Sequence, residues 1–337
     1  MNGRIENETK IDNSIDKKLK TMPEYVIKWH NVLIASDKTA STRRDYIYKV
    51  NAFLAFINKD VKHISPSEIT DDVVVDYFKS IKIKNDKPTS DSFQIAVWSC
   101  LHSFLDFMVG KGLIKENYID VLGIKKPKNH DLPRIDRDRI LLTKKDFNKI
   151  LQAVDDRHRR RRSVCYGDNL RRRDFAIMLI FMNTGMRKTA LANIDIEDVD
   201  LDSSKLIVVD KGEIEHVYIL APMAKEALER YLSQREVLIE CNNSKTHALF
   251  VNQYGQRMSG NALEKLVKKY CETALGKEIS PHKLRSGFCS ILYNETKDIE
   301  FVRRSVGHSK ISTTQRYIVT EGRETEVASN IISNILK

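Results

Sequence analysis

The stretch DFAIMLIFMNTG, residues 174–185, constrains this chain more than any other. It is apolar on nearly every side of a helix, so other elements have to enclose it, and a helix of this kind sits at the centre of a domain. Gly185 follows the last apolar turn, where a residue free to adopt a left-handed conformation closes a helix. The surrounding sequence supplies the cover. TKKDFNKILQAV before it is amphipathic and capped by Thr143. APMAKEALERYLSQREVL, SGNALEKLVKKYCETAL, SPHKLRSGFCSILY, IEFVRRSV and STTQRYIV after it read as further helices. Between them KLIVVDKGEIEHVYIL alternates as two strands around a tight Asp-Lys-Gly-Glu turn, a β-hairpin.

The chain's first third has a different organisation. From Pro23 to about Gly112 the pattern is helical throughout. Tyr46, Val50, Phe53, Leu54 and Ile57 share one helical face after a Ser41 cap, and Val97, Leu101, Phe104, Leu105 and Met108 share another. PEYVIKWHNVLIAS and ITDDVVVDYFKSI complete a four-helix bundle. The expected division is a flexible tail over residues 1–22, a helical domain over 23–122, a basic linker over 123–140, a second domain over 141–322 and a terminal helix over 323–337. The fold class is mainly α with a small antiparallel β-sheet, and no internal repeat is present.

Composition narrows the partners. Lysine and arginine number 57 against 46 acidic residues, a net charge of +11. Such a chain favours a polyanion, because neutralising phosphates releases counterions. The five cysteines form no CxxC pair and the nine histidines show no metal-ligand spacing. The thiols are expected to be reduced and mostly buried, with no metal and no cofactor. No glycine-rich phosphate loop is present, which argues against nucleotide hydrolysis. The absence of a membrane-length apolar run or a signal segment leads to the expectation of a cytoplasmic protein without a membrane partner.

Four short stretches carry residues suited to phosphate chemistry. NTGMRK places Arg187 at the start of a helix, where free N–H groups already favour an anion. VVDKGE puts Lys211 at a hairpin tip, within reach of a groove. In SPHKLRSG, Ser280 caps a helix with Pro281 in its first position, so His282 and Arg285 share one face at i and i+3. VGHSKISTTQRYIVT sets His308 ahead of Tyr317. Singly each is weak, since a lone HxxR or a hairpin-tip lysine is usually surface decoration. Their order and their placement on these elements make the set specific.

The set resembles the catalytic domain of tyrosine recombinases, the phage-integrase family. TGMR, the hairpin lysine, HKLR and GHSKISTTQRY follow the family's motifs in order, and the helical first domain resembles the family's core-binding (SAM-like) bundle. The resemblance covers roughly residues 23–320. It implies that Tyr317 attacks a DNA phosphodiester, leaving a 3′-phosphotyrosine and a 5′-hydroxyl, with no metal or ATP. Arg187 and Arg285 would bracket the phosphate oxygens, His282 would take the phenol proton, Lys211 would protonate the leaving oxygen and His308 would bond a phosphate oxygen. The implied partner is double-stranded DNA with inverted core-type repeats, on which the protein assembles as a tetramer, with an accessory directionality factor as a further candidate. The chain departs from the family pattern at three places. Ala190 stands where many members carry an acidic residue, Ser286 where many carry histidine, and Asp210 where many carry glycine. None of these removes a bond-making group.

Further DNA contacts are expected from Thr42, Arg43, Arg44 and Lys49, opposite the bundle's apolar stripe, and from Lys125 and Lys126 in the linker. The run RHRRRRSVCYGDNLRRRD, with Arg159 and Arg160, is a third basic region. Val327, Ile331, Ile332, Ile335 and Leu336 fall at helical spacing in the last stretch, which could dock on a neighbouring protomer or on its own domain. Two other functions use some of the same features: type IB topoisomerase-like strand relaxation and catalytically silent DNA binding.

Overall fold

The computed structural model describes residues 3–84, 87–128, 142–159, 167–209, 215–308, 311 and 314. Two compact units are present, Ile5–Asp136 and Arg137–Lys337, the second including Met1–Arg4.

The first unit is helical. It contains α1 (Gly3–Leu19), α2 (Glu24–Ala35), α3 (Ala40–Ile57), α4 (Asp71–Ser80), α5 (Asp91–Gly110) and the single turn α6 (Tyr118–Val121). A minimal antiparallel pair, β1 (Ile83–Lys84) with β2 (Lys87–Pro88), follows α4. Trp29 and Phe53 anchor the core, each meeting a second ring edge-on: Phe104 at 5.1 Å and Tyr77 at 5.1 Å. Such pairs add about 0.5–1.5 kcal/mol beyond the area they bury. The cap of α3 is Thr39, whose hydroxyl accepts from the Thr42 N–H, so the helix begins two residues ahead of the Ser41 expected from sequence.

Most of the segment expected to be a flexible tail forms α1. Ile15, Leu19 and Met22 are buried in the bundle core, and Ile11 packs against it. Ile11, Ile15 and Leu19 are spaced by four, a narrow stripe in an otherwise charged sequence. The helix α5 is long and apolar enough by composition to cross a bilayer. Instead its Val97, Cys100, Leu101, Phe104, Leu105 and Met108 fill the bundle's centre.

The second unit is built around the apolar helix. Here α7 (Lys144–Arg159), α8 (Gly167–Thr184) and α9 (Lys188–Asn193) precede β3 (Val199–Asp200), β4 (Lys205–Val209) and β5 (Glu215–Ile219). Helices α10 (Pro222–Cys241), α11 (Gly260–Leu275), α12 (Pro281–Thr296) and α13 (Ile299–Val306) follow. Every residue from Ala176 to Met182 is buried, because α7, α10 and α12 all pack against α8. The helix starts seven residues before Asp174. Its Arg173 is not a surface cation: it forms a buried pair with Asp174 and donates to the Val251 carbonyl at 3.0 Å. Tyr270 closes the group by donating to Asp174 at 2.8 Å, so each charge in this apolar layer has a partner.

The sheet has three strands in the order β3-β4-β5, one more than the expected hairpin. Pairing between β4 and β5 ends at Val209 opposite Glu215, and the expected Asp-Lys-Gly-Glu turn lies outside the described residues. The thiols of Cys271 and Cys289 are buried, and burial pushes them up to about 12 and about 11.

Candidate active site

The turn that carries Arg187 leaves little room for another sequence. Helix α8 ends at Thr184, and Gly185 follows with φ of +59°, donating its N–H to the Phe181 carbonyl at 3.0 Å. A Cβ here would lie 2.6 Å from the Phe288 ring of α12, so glycine is required both by the backbone angle and by the space. The Thr184 hydroxyl accepts from the Met186 N–H, and Met186 is fully buried. Arg187 is then the N-cap residue of α9, in extended conformation between two buried anchors, Met186 and Ala190. Ala190 lies in the apolar core, where a carboxylate would lose its hydration, so the departure at that position suits its surroundings.

Helix α12 begins as expected from its sequence. Ser280 caps it and Pro281 takes the first turn. His282 and Arg285 therefore project one turn apart. Arg285 is almost completely buried and works as a cross-brace. Its Nη1 donates to the Gly185 carbonyl at 2.6 Å and its Nη2 to the Val306 carbonyl at 2.8 Å. One planar fork thus joins the turn before Arg187 to the end of α13, a task a lysine cannot perform. His282 opens onto the cleft. Partial desolvation lowers its pKa below the usual histidine value, and the guanidinium groups of Arg285 and Arg187 lower it further. A neutral imidazole at neutral pH is the form a general base requires.

The His308 motif is tied to Arg285 through the end of α13, whose Val306 carbonyl accepts from it. Gly307 closes that helix at φ of +68°, and a Cβ on it would come within 3.3 Å of the His216 Nδ1 on β5. His308 is buried, and its Nδ1 faces the Thr314 hydroxyl at 2.9 Å. Arg303 accepts the His308 N–H at its own carbonyl and returns a guanidinium bond to the His308 carbonyl at 2.6 Å. The loop end of the β4–β5 pair, where His216 lies opposite Val208, thus packs close to the turn that presents His308.

Arg187, His282 and Arg285 line one cleft of about 380 Å³, with Ser280, Lys188 and Glu264 completing its wall. Its volume suits a phosphate group with its flanking sugars, and two guanidinium groups with a neutral imidazole can bind such an anion and move a proton beside it. Lys211, Asp210 and Tyr317 lie outside the described residues, as do Arg160, the linker from 129 onward and the segment 323–337. The Arg159 side chain is likewise not described. Ser286 is half-buried and accepts at its carbonyl from the Ser290 hydroxyl. Glu264, on α11, is a cleft residue that sequence reasoning missed, because nothing in SGNALEKLV separates it from an ordinary solvated carboxylate.

The expected DNA-facing residues of the first unit divide sharply. Arg43 is mostly covered and bonds Asp12 at 2.6 Å, and Lys49, also mostly covered, pairs with Asp45. Thr42 shares a hydrogen bond with Thr39 at 2.9 Å. Each of these three has a partner within the unit. Arg44, Lys125 and Lys126 are exposed, with the Lys126 ammonium 5.6 Å from the Trp98 ring. Among the described residues one group could converge on a metal ion, His102, Asp106 and Asp120. Both its ring nitrogens already face carboxylates, Asp106 at 2.9 Å and Asp120 at 3.0 Å, the arrangement of a doubly hydrogen-bonded side chain.

Comparison with known proteins agrees with this geometry. Residues 141–322 match the model of the phage integrase family. The tyrosine recombinase XerC of Thermodesulfovibrio yellowstonii is 29% identical over 292 residues, 86% of this chain and 88% of the relative. That of Natranaerobius thermophilus is 30% identical over 277 residues, 81% of this chain and 86% of the relative. Among solved structures, the XerH site-specific recombinase bound to difH substrate in a pre-cleavage complex superposes with a TM-score of 0.62 at 19% identity, over 88% of this chain and 81% of that one. A lambda integrase tetramer bound to a Holliday junction gives 0.58 at 16% identity, over 89% and 77%. At these identities the structural likeness is one of fold.

Proposed function

The chain belongs to the phage integrase family and is a site-specific tyrosine recombinase, and from that premise we propose that it cuts and rejoins duplex DNA through a covalent 3′-phosphotyrosine at Tyr317. The Tyr317 oxygen forms a bond to phosphorus as the bond from phosphorus to the 5′-oxygen breaks. His282 takes the phenol proton, and Lys211 delivers a proton to the departing oxygen. One phosphodiester is exchanged for another, so no ATP is consumed, and attack by a 5′-hydroxyl from a second strand reverses the step.

The charge that builds on the non-bridging oxygens is met by Arg187 and Arg285, whose permanently charged forks suit a phosphate. Donors of this kind are each worth about 10²–10³ in rate. His308 Nδ1 faces the Thr314 hydroxyl; in the tautomer that accepts there, the ring offers its Nε2 proton to the phosphate. The observation that best supports this reading is the Arg285 brace, which ties the turn before Arg187 and the end of α13 to the helix that lines the cleft with His282.

Residues 141–322 form the catalytic domain in this proposal, and residues 23–122 and the basic linker bind the same duplex, which bears inverted core-type repeats. Four copies assemble on two sites, and the segment 323–337 docks on the neighbouring protomer. The reaction serves integration and excision of a mobile element or resolution of DNA dimers in the cytoplasm.

The test starts from a site recovered from a random duplex pool by binding to this protein. A nicked duplex carrying it, which traps the cleaved state, should yield a denaturant-resistant adduct. Tyr317→Phe should bind the duplex and give no adduct. Failure of the wild type to form an adduct on the recovered site would refute the covalent mechanism.

A further inference from the structure

The cleft contains a carboxylate, Glu264, although its other charged walls are cationic. An unpaired carboxylate would repel the phosphate the cleft is built to hold. Glu264 is not unpaired: it bonds the Lys188 ammonium, both side chains are about two-thirds covered, and Lys188 is the main cause that holds its pKa below the usual carboxylate range. The stem of Lys188 lies along the first turn of α11, with Cγ at 3.8 Å and Cδ at 4.0 Å from the space above Gly260. Lys268 adds a weaker contact to Glu264 at 3.5 Å.

The position of Lys188 in the chain gives this pair its significance. Two residues before Arg187, the Gly185 carbonyl is fixed by Arg285. One residue after it, Lys188 is fixed by Glu264. Arg187 itself is the extended N-cap of a helix six residues long. We propose that the Lys188–Glu264 pair is a positioning device that sets the aim of Arg187 and masks the Glu264 charge from the bound phosphate. The inference rests on the phosphotransfer reading of this cleft. Glu264 and Lys188 are positioning residues: they act through Arg187 and form no bond to the reacting atoms.

A partly exposed ion pair contributes little to global stability. Its loss should therefore appear in the rate and not in the melting temperature. In single-turnover adduct formation on the recovered nicked duplex, Glu264→Gln and Lys188→Met should each slow the step by about 10- to 100-fold, since a misplacement of about 1 Å costs up to about 10²-fold. The protein concentration giving half-saturation should not change. Lys188→Glu should be slower again, and the exchanged pair Lys188→Glu with Glu264→Lys should return to within about threefold of wild type, as a double-mutant cycle requires of a direct contact. Wild-type rates in both single neutral variants, or an exchanged pair no faster than Lys188→Glu, would overturn the proposal. So would a Lys188→Met variant that loses DNA affinity at an unchanged rate, because that result makes Lys188 a phosphate contact.

Amide exchange over residues 186–191, read in the full chain without DNA, tests the pair independently of activity. It should quicken in both neutral variants and recover in the exchanged pair, and unchanged exchange would count against the brace. A wild type that forms no adduct while these exchange rates shift would refute the phosphotransfer reading and leave the brace standing.

Discussion

Replacing Arg285 with lysine keeps the charge and removes the fork, and its consequences can be worked from two distances. The guanidinium spans the Gly185 and Val306 carbonyls at 2.6 and 2.8 Å. A lysine ammonium reaches one of them. Hydrogen bonds from charged groups contribute about 1.5–3 kcal/mol, and a buried acceptor left without a donor costs about 1–3 kcal/mol. The loss of one bond should thus destabilise the second unit by about 2–3 kcal/mol. For a unit near 200 residues each kcal/mol moves the melting temperature by about 2–4 °C, so the expected fall is about 4–12 °C. Calorimetry on the full chain, following the transition of the second unit, measures it. Well below both melting points the adduct-forming step should also slow by about 10²–10³-fold, the usual effect of removing one donor to a developing oxyanion. A variant that melts with the wild type would show that the fork does not hold the turn. One that melts lower but cleaves within about threefold of wild type would make Arg285 a brace alone, and the assignment to phosphate would fall.

Other substitutions probe separate parts of the molecule. Gly185→Ala forces a side chain to φ of +59° and against the Phe288 ring, so it should cost about 1–3 kcal/mol in thermal unfolding, with Phe288→Ala recovering only the steric part. His282 titrates below about 6.5 in the folded chain, whereas the unfolded chain takes up a proton near that value. Stability should therefore fall as pH drops through about 6.5, and the cleavage rate should hold until the lower, folded value is reached. An NMR titration should give a midpoint below about 6.5 that rises in Arg187→Gln, and a midpoint at or above it would contradict the assignment. Arg44→Ala should weaken DNA binding and reduce its salt dependence by about one ion, whereas Arg43→Ala should lower the melting temperature of the first unit and leave that slope unchanged.

The parts of the molecule legible in the sequence are those decided by local chemistry. The apolar run of α8, the Ser280–Pro281 start of α12 and the glycine after Thr184 each follow from a preference that acts within one turn. What was hidden depends on partners far along the chain. Arg43 reads as a surface cation until α1 places Asp12 beside it. Arg173 sits in a basic run, yet Asp174, Tyr270 and the Val251 carbonyl make it a buried structural residue. The helical stripe of α1 is only three residues wide at spacing four, and the charges between them dominate any local average. Glu264 is the clearest case within the site, since its meaning comes entirely from Lys188, 76 residues away.

The central claim is that Tyr317 is the residue that takes the DNA strand. The chain has 12 tyrosines, so the claim is sharp. The adduct formed on the recovered nicked duplex should be trimmed with nuclease and protease, and its peptide sequenced by mass spectrometry. One nucleotide-bearing peptide is expected, modified at Tyr317 and linked through a 3′-phosphate. A nucleotide on any other tyrosine, or a linkage through a 5′-phosphate, would contradict it.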